Sequence, residues 1–422
     1  MIKIPISQEK KQVIENIISL FIFQGSTYIL PLITLPYLVR ALGPEKFGLV
    51  AFAQAFTYYF MVIAEYGFIH TASKKIAISR DTNDGLVQVF NSIMLIKIIL
   101  LGICFIALVV IIAAFSKFRR DWDLYLITYF AVMSNIFFPT WFFQGMEKMK
   151  YISYLTILSR VIFIVAIFSL VKARSDYIYV PLSNLIGTVT ASVISLWIII
   201  KKFGIRIKAP LKTSIYSELR EGWHVFLGMA SVSVYTTSNI FILGLFCRNE
   251  IVGYYKAADS IIKAFVALLS PVSQSMYPYI SRLVVDSKKK AVAIIKKLLI
   301  GVGAATIIMG VAIFTFAPYI VKILLGPQYT QSVIILRILS PLPFLLGTSS
   351  IVAVQGLLAF NMNKAFSSIV ICVGIVNVIL AFILTPLYKD IGISIALLIS
   401  EMIATCAVIF VFKYRRSQSV FA

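Results

Sequence analysis

Apolar residues fall along this chain in long blocks, separated by short polar breaks that carry lysine and arginine. The blocks lie at roughly 17–39, 47–68, 89–114, 124–144, 152–171, 179–200, 225–245, 257–280, 298–321, 333–358, 365–385 and 391–412. A helix needs roughly 20 mainly apolar residues to cross a bilayer. The pattern therefore predicts an all-α integral membrane protein of about twelve transmembrane helices. The longest polar stretch, 201–224, follows the sixth block. It divides the chain into an N-terminal six-helix lobe (1–200), a cytoplasmic linker (201–224) and a C-terminal six-helix lobe (225–422). Ile215, Leu219 and Trp223 recur at i, i+4 and i+8. The later part of this stretch thus reads either as an amphipathic helix on the inner leaflet or as a plain linker.

The two halves resemble each other in places. Glu45-Lys46-Phe47-Gly48 after the first block matches Glu250-Ile251-Val252-Gly253 after the seventh, each with an alanine five residues past the glycine. Gln144-Gly145-Met146 closes the fourth block and Gln355-Gly356-Leu357 the tenth. Parallel repeats of six helices are related by an axis along the membrane normal, and the transport site lies between them. That predicts two lobes around a central cavity. Pro31, Pro36, Pro139, Pro271, Pro278, Pro318, Pro341 and Pro343 fall within blocks. Each removes a backbone donor and favours a kink, although proline is ordinary in membrane helices.

Composition agrees with the pattern. The chain is 60% hydrophobic and 13% charged, where a soluble domain carries about 25% charged residues. The net charge of +22 would suggest nucleic acid on a soluble protein. Here most basic residues sit in loops beside apolar blocks, where they set topology and meet anionic headgroups. With the N-terminus inside, 24 Lys and Arg fall on the cytoplasmic side and 10 on the other. Both termini are therefore expected in the cytoplasm. The first block is longer than a signal-peptide core and lacks a small-residue cleavage site, so it reads as an uncleaved span. Cys104, Cys247, Cys372 and Cys406 form no CxxC pair, so they read as buried small hydrophobes and not as metal ligands.

Ionisable groups at membrane depth are the informative residues, because an Arg or Lys at mid-helix costs about 3 kcal/mol on translocon scales. Lys97, Arg160, Lys256, Lys263 and Arg337 lie within blocks, with Arg40 and Arg282 at block ends. The acids are fewer: Glu65, Asp259 and Glu401. The cations either snorkel to headgroups or line a hydrated cavity that attracts anions. Lys256, Asp259 and Lys263 share one helix face, so Asp259 either neutralises its neighbours or binds a coupling cation. Tyr66, Tyr129, Trp141, Tyr235 and Tyr277 are candidates for stacking on sugar faces. No HExxH or Walker sequence is present, and the lone Gly301-Val302-Gly303 lies inside an apolar block. The pattern points to transport without a catalytic centre, with no cofactor, and either ion-coupled or downhill.

Tyr28–Gly48, Glu65-Tyr66-Gly67-Phe68 and Thr140-Trp141-Phe142-Phe143-Gln144-Gly145 resemble the corresponding segments of Wzx-type O-antigen flippases. These belong to the multidrug/oligosaccharidyl-lipid/polysaccharide exporter superfamily. The resemblance is most specific in the first 150 residues and otherwise lies in the six-plus-six layout. It implies a bacterial inner-membrane protein that flips undecaprenyl-pyrophosphate-linked oligosaccharides from the cytoplasmic to the periplasmic leaflet by alternating access. It also implies ion antiport, with a polymerase and a chain-length regulator as potential partners. Two alternatives stay open: a multidrug exporter of the same superfamily, which would call for a net acidic cavity, and a membrane-bound polysaccharide polymerase, which would call for a large outside loop.

Overall fold

The computed structural model describes residues 6–80 and 82–420, with side chains over 33–80, 82, 84–211, 214–231, 233, 237–270 and 272–414. The pattern in the sequence becomes helix almost throughout. In order the α-helices are α1 (Ile6–Glu65), α2 (Phe68–Ser79), α3 (Asn83–Ala114), α4 (Ser116–Arg119), α5 (Trp122–Ile136), α6 (Thr140–Gly145) and α7 (Met149–Leu170). They continue as α8 (Tyr179–Lys202), α9 (Lys212–Phe246), α10 (Asn249–Ala267), α11 (Ser270–Asp286), α12 (Lys288–Leu324), α13 (Ser332–Leu339), α14 (Leu342–Ile351) and α15 (Asn363–Val420). Two helices hold a break. Gly43 (φ 69, ψ 172) interrupts α1 and Lys389 (φ 54, ψ −126) interrupts α15.

Among the described residues, eight helical stretches are long and apolar enough to cross a bilayer. Asn363–Tyr414 holds two expected spans on either side of its break, and Ile33–Ser79 holds the second expected span with the end of the first. The remaining two expected spans fall on α9 and on α10 with α11, where some side chains lie outside the described residues. The result is an all-α, multi-pass membrane protein, consistent with twelve passes.

Prolines end helices as well as bend them. Pro139 separates α5 from α6 and Pro341 separates α13 from α14, while Pro278 and Pro318 lie inside α11 and α12. The side chains of Pro31 and Pro271 lie outside the described residues.

Packing divides the chain into two compact units. One is Met1–Thr34 with Ala53–Ala230, and the other is Leu35–Phe52 with Ser231–Ala422. The first buries Phe68, Ala72 and Ile76 of α2 against Phe90 and Ile93 of α3, the Trp141–Phe143 run of α6 and Ile199 of α8. The second buries Ile280, Ile295, Ile351, Leu357 and Phe412 together.

Each glutamine of the two similar segments contacts a serine on another helix of its own unit. Gln144 Oε1 accepts from Ser73 of α2 at 3.4 Å in the first unit. Gln355 Nε2 donates to the Ser273 carbonyl of α11 at 2.7 Å in the second. Gly48 and Gly253 both lie in the second unit, on two helices that cross closely. A Cβ on Gly48 would stand 1.8 Å from the Asn249 carbonyl, and one on Gly253 would stand 2.0 Å from the Pro44 carbonyl.

The polar stretch 201–224 becomes a loop followed by the start of α9. Ile215 and Leu219 pack against the first unit's core, while Trp223 stays exposed. Asn91 pins the loop, donating to the Arg206 carbonyl at 2.9 Å and accepting from the Lys208 amide at 3.3 Å.

Candidate functional site

Cations at membrane depth divide into those already neutralised and those that are not. In the first unit, Lys97 of α3 is 1% exposed and its Nζ lies 2.9 Å from Glu65 Oε2. Glu65 is the last residue of α1, which ends because Tyr66 (φ 47) and Gly67 (φ 77) both turn left-handed. Glycine takes that conformation freely, and tyrosine does so only when its surroundings hold it. Tyr66 is held by a stacked contact with Phe226 (4.9 Å) and by donating to the Leu219 carbonyl at 3.2 Å. Arg160, in α7, is half-buried and has no hydrogen-bond or ion-pair partner among the described residues.

In the second unit, Asp259 of α10 is buried and Lys263 Nζ lies 2.8 Å from its Oδ2. Lys263 itself is exposed, and the contact lacks hydrogen-bond alignment. Lys256, one turn earlier, is half-buried and makes no ion pair among the described residues. Glu401 of α15 is buried.

The other named cations stand outside these clusters. Arg40 is exposed and donates to the Ile323 carbonyl near the end of α12. Arg282 is exposed on α11, and Arg337 is exposed on α13 with its guanidinium 5.4 Å from the Phe314 ring. The structure therefore groups Lys97 with Glu65 in one unit and Lys256, Asp259 and Lys263 in the other.

The aromatic candidates separate too. Tyr129 and Trp141 are buried within the first unit, and Tyr129 donates to the Leu101 carbonyl at 2.5 Å. Tyr277 is exposed on α11. The Tyr235 side chain lies outside the described residues.

Neutral polar groups were missed by a reading that searched for charge. Among the described residues, fully buried Asn377 has neither end of its amide hydrogen-bonded, and the Oε1 of fully buried Gln355 has no partner. Gln355 sits in the π-helical stretch Val352–Leu358 that continues α14, a geometry often found at functional positions. A glutamine or asparagine inside an apolar run is the signal that would have found them.

The pattern has a simple chemical consequence. A cation held at membrane depth without a carboxylate is available to an anion. Arg160 is such a group in the first unit; Lys256 of the second makes no ion pair among the described residues, with the Asp259 carboxylate one turn along the same helix. Arginine grips phosphate oxygens bidentately and lysine acts as a point charge.

Known proteins share both the sequence and the fold. Residues 13–284 match the polysaccharide biosynthesis protein family. The chain belongs to that family. It is 36% identical over 390 residues to an Escherichia coli K12 protein named "Putative O-antigen transporter", covering 92% of this chain and 94% of that one. A Shigella dysenteriae protein of the same name is 29% identical over 395 residues, 92% and 97% of the two chains. Among solved structures, an inward-facing multidrug resistance MATE family transporter of the MOP superfamily matches with a TM-score of 0.74 at 16% identity, covering 96% and 98% of the two chains. The lipid II flippase MurJ matches with a TM-score of 0.71 at 14% identity, covering 95% of this chain and 87% of that one. This member of the family thus has a MATE-like fold.

Proposed function

We propose that the protein translocates undecaprenyl-pyrophosphate-linked oligosaccharide units of a surface polysaccharide, from the cytoplasmic to the periplasmic leaflet of a bacterial inner membrane. The observation that carries this reading is the 36% identity to an O-antigen transporter over nearly the full length of both chains. The chemistry agrees with it. The substrate head is a pyrophosphate, and Arg160 and Lys256 are membrane-depth cations that make no ion pair among the described residues. Binding must be reversible, so a few point contacts suit the task better than a closed cage of cations.

On this reading the two units alternate access to the substrate, both termini lie in the cytoplasm, and Glu65, Asp259 and Glu401 are candidates for ion coupling. Lys97 and Lys263 then act through the acids they pair with. Arg40, Arg282 and Arg337 are the weaker candidates for substrate contact, because each is exposed on its own unit. A polymerase and a chain-length regulator would consume the flipped unit.

The test is genetic and chemical together. Deleting the gene should abolish polymeric surface polysaccharide and leave lipid-linked units undelivered on the cytoplasmic face. Restoring the gene should restore the polymer. Unchanged polymer in the deletion strain, with no second family member in the genome, would sink the proposal.

A further inference from the structure

Arg337 has work that topology alone does not explain. Pro318 lies inside α12 and has no amide hydrogen, so the Phe314 carbonyl four residues earlier loses its usual helical donor. Arg337 Nε donates to that carbonyl in a long hydrogen bond of 3.4 Å, and the guanidinium stands over the Phe314 ring. Only Nε is used. The two terminal nitrogens, with four N–H groups, have no partner among the described residues.

A groove of about 300 Å³ is lined by Thr306, Ile307, Gly310, Val311, Ser340 and Phe344 among others, and it shares Phe314 with the Arg337 guanidinium. Its walls are almost wholly apolar. The Thr306 hydroxyl is already spent on the Val302 and Gly303 carbonyls, and the Ser340 hydroxyl on that of Arg337. The floor is a close helix crossing, since a Cβ on Gly310 would stand 2.7 Å from the Ser340 carbonyl.

The groove has a direction. From Phe314 back to Thr306 is about 12 Å along α12, at 1.5 Å per residue, and that path leads away from the helix end. In the other direction, Tyr319 and Lys322 lie roughly one and two turns beyond Phe314, and both are residue types that mark the membrane interface. The guanidinium therefore stands roughly one to two helical turns below a headgroup layer, and the groove leads from it toward the middle of the bilayer.

We propose that this face of the second unit holds a membrane phospholipid, with its phosphate on the Arg337 guanidinium and one acyl chain in the groove. Charge selects the occupant. One cation matches the single negative charge of a phosphodiester, whereas a pyrophosphate carrier would call for more. The groove's volume is at the small end for ligand sites and takes one chain. A lipid seated there would brace α12 against α13 and α14 at the Pro318 kink. The site is independent of the transported substrate.

Native mass spectrometry of the delipidated protein with added phosphatidylglycerol tests the site. One tightly held lipid is expected. Its retention should fall at least fivefold in Arg337→Gln, which keeps a donor for Phe314, and in Val311→Trp, which fills the groove from its rim and leaves the arginine in place. Lys172→Gln, on the other unit, should retain the lipid fully. Diacylglycerol, which lacks the phosphate, should bind at least fivefold more weakly than phosphatidylglycerol. Equal retention across the variants would overturn the proposal, as would equal binding of diacylglycerol. Preference for a polyprenyl pyrophosphate over phosphatidylglycerol would also overturn it. If Arg337→Gln does not fold, Val311→Trp reads the same site.

Discussion

Lys97 and Glu65 differ in exposure, and that difference decides how each substitution should behave. Lys97 is 1% exposed, whereas Glu65 is 24% exposed. Glu65→Gln strands an ammonium with no carboxylate and no route to water. Breaking a buried pair in this way costs about 3 kcal/mol or more. Lys97→Met strands a carboxylate that water still reaches, so it should cost distinctly less. Thermal unfolding in detergent checks the order, which the opposite ranking would refute. The sequence showed both residues as charges at membrane depth, but not the bond between them, because the partners lie 32 positions apart on different helices. The same limit applied to Arg337. Its depth was visible, while its tie to the carbonyl freed by Pro318 depends on how α12 meets α13. Asn377 and Gln355 were invisible for another reason. They carry no charge, and only burial makes their amides costly.

At the scale of elements, the start of α9 is the clearest gain over the sequence. Its i, i+4, i+8 apolar face suited a leaflet surface or no surface at all, yet Ile215 and Leu219 pack on the first unit's core. The residue that fixes this orientation is polar. Glu218 is buried, and Lys75 of α2 holds it at 2.9 Å and Glu221 at 3.0 Å. Burial pushes the Glu218 carboxyl above its ordinary value, and the Lys75 ammonium pulls it back. The Lys75 contact holds Glu221 below the usual carboxylate range. Lys75→Met should therefore cost about 2 kcal/mol at pH 7.5, the scale of a hydrogen bond to a charged group. The loss has a defined pH sense. Without Lys75, Glu218 takes up a proton more readily in the folded protein than in the unfolded chain, and Glu221 no longer gains from ionising. The defect should be largest where unfolded carboxylates are ionised and should shrink as pH falls toward about 4. Melting curves of parent and variant across pH 4–8 check this, and a defect that grows in acid would contradict it. The helix crossing at Gly48 and Gly253 gives a second element-scale test. Alanine at either position meets a backbone carbonyl at 2.0 Å or less, so the helices must separate. Gly253→Ala should lower the yield of monodisperse protein severalfold, and a normal yield would mean that the crossing relaxes freely. The sequence marked these glycines as repeats of one another but not as neighbours in space.

At the scale of the molecule, transport should depend most on the cations that make no ion pair. Lys97 and Lys263 each have an acid within 3 Å, so their loss disturbs a pair before it disturbs a substrate. Arg160 and Lys256 have no such partner, and one stands in each unit. If both meet the pyrophosphate head as it crosses, Arg160→Ala and Lys256→Ala should each cut surface polysaccharide at least tenfold, about 1.4 kcal/mol in barrier terms, at unchanged protein level and melting temperature. Charge-keeping swaps should separate the two roles. Arg160→Lys loses the bidentate fork and should restore only part of the polymer. Lys256→Arg keeps the positive charge and should restore more. Normal polymer in both alanine variants would remove these residues from the substrate path. A uniform loss in all four variants, with lowered melting temperatures, would assign them to packing instead. The two outcomes are distinguishable because a cation that meets the substrate changes transport without changing stability, whereas one that anchors a helix changes both.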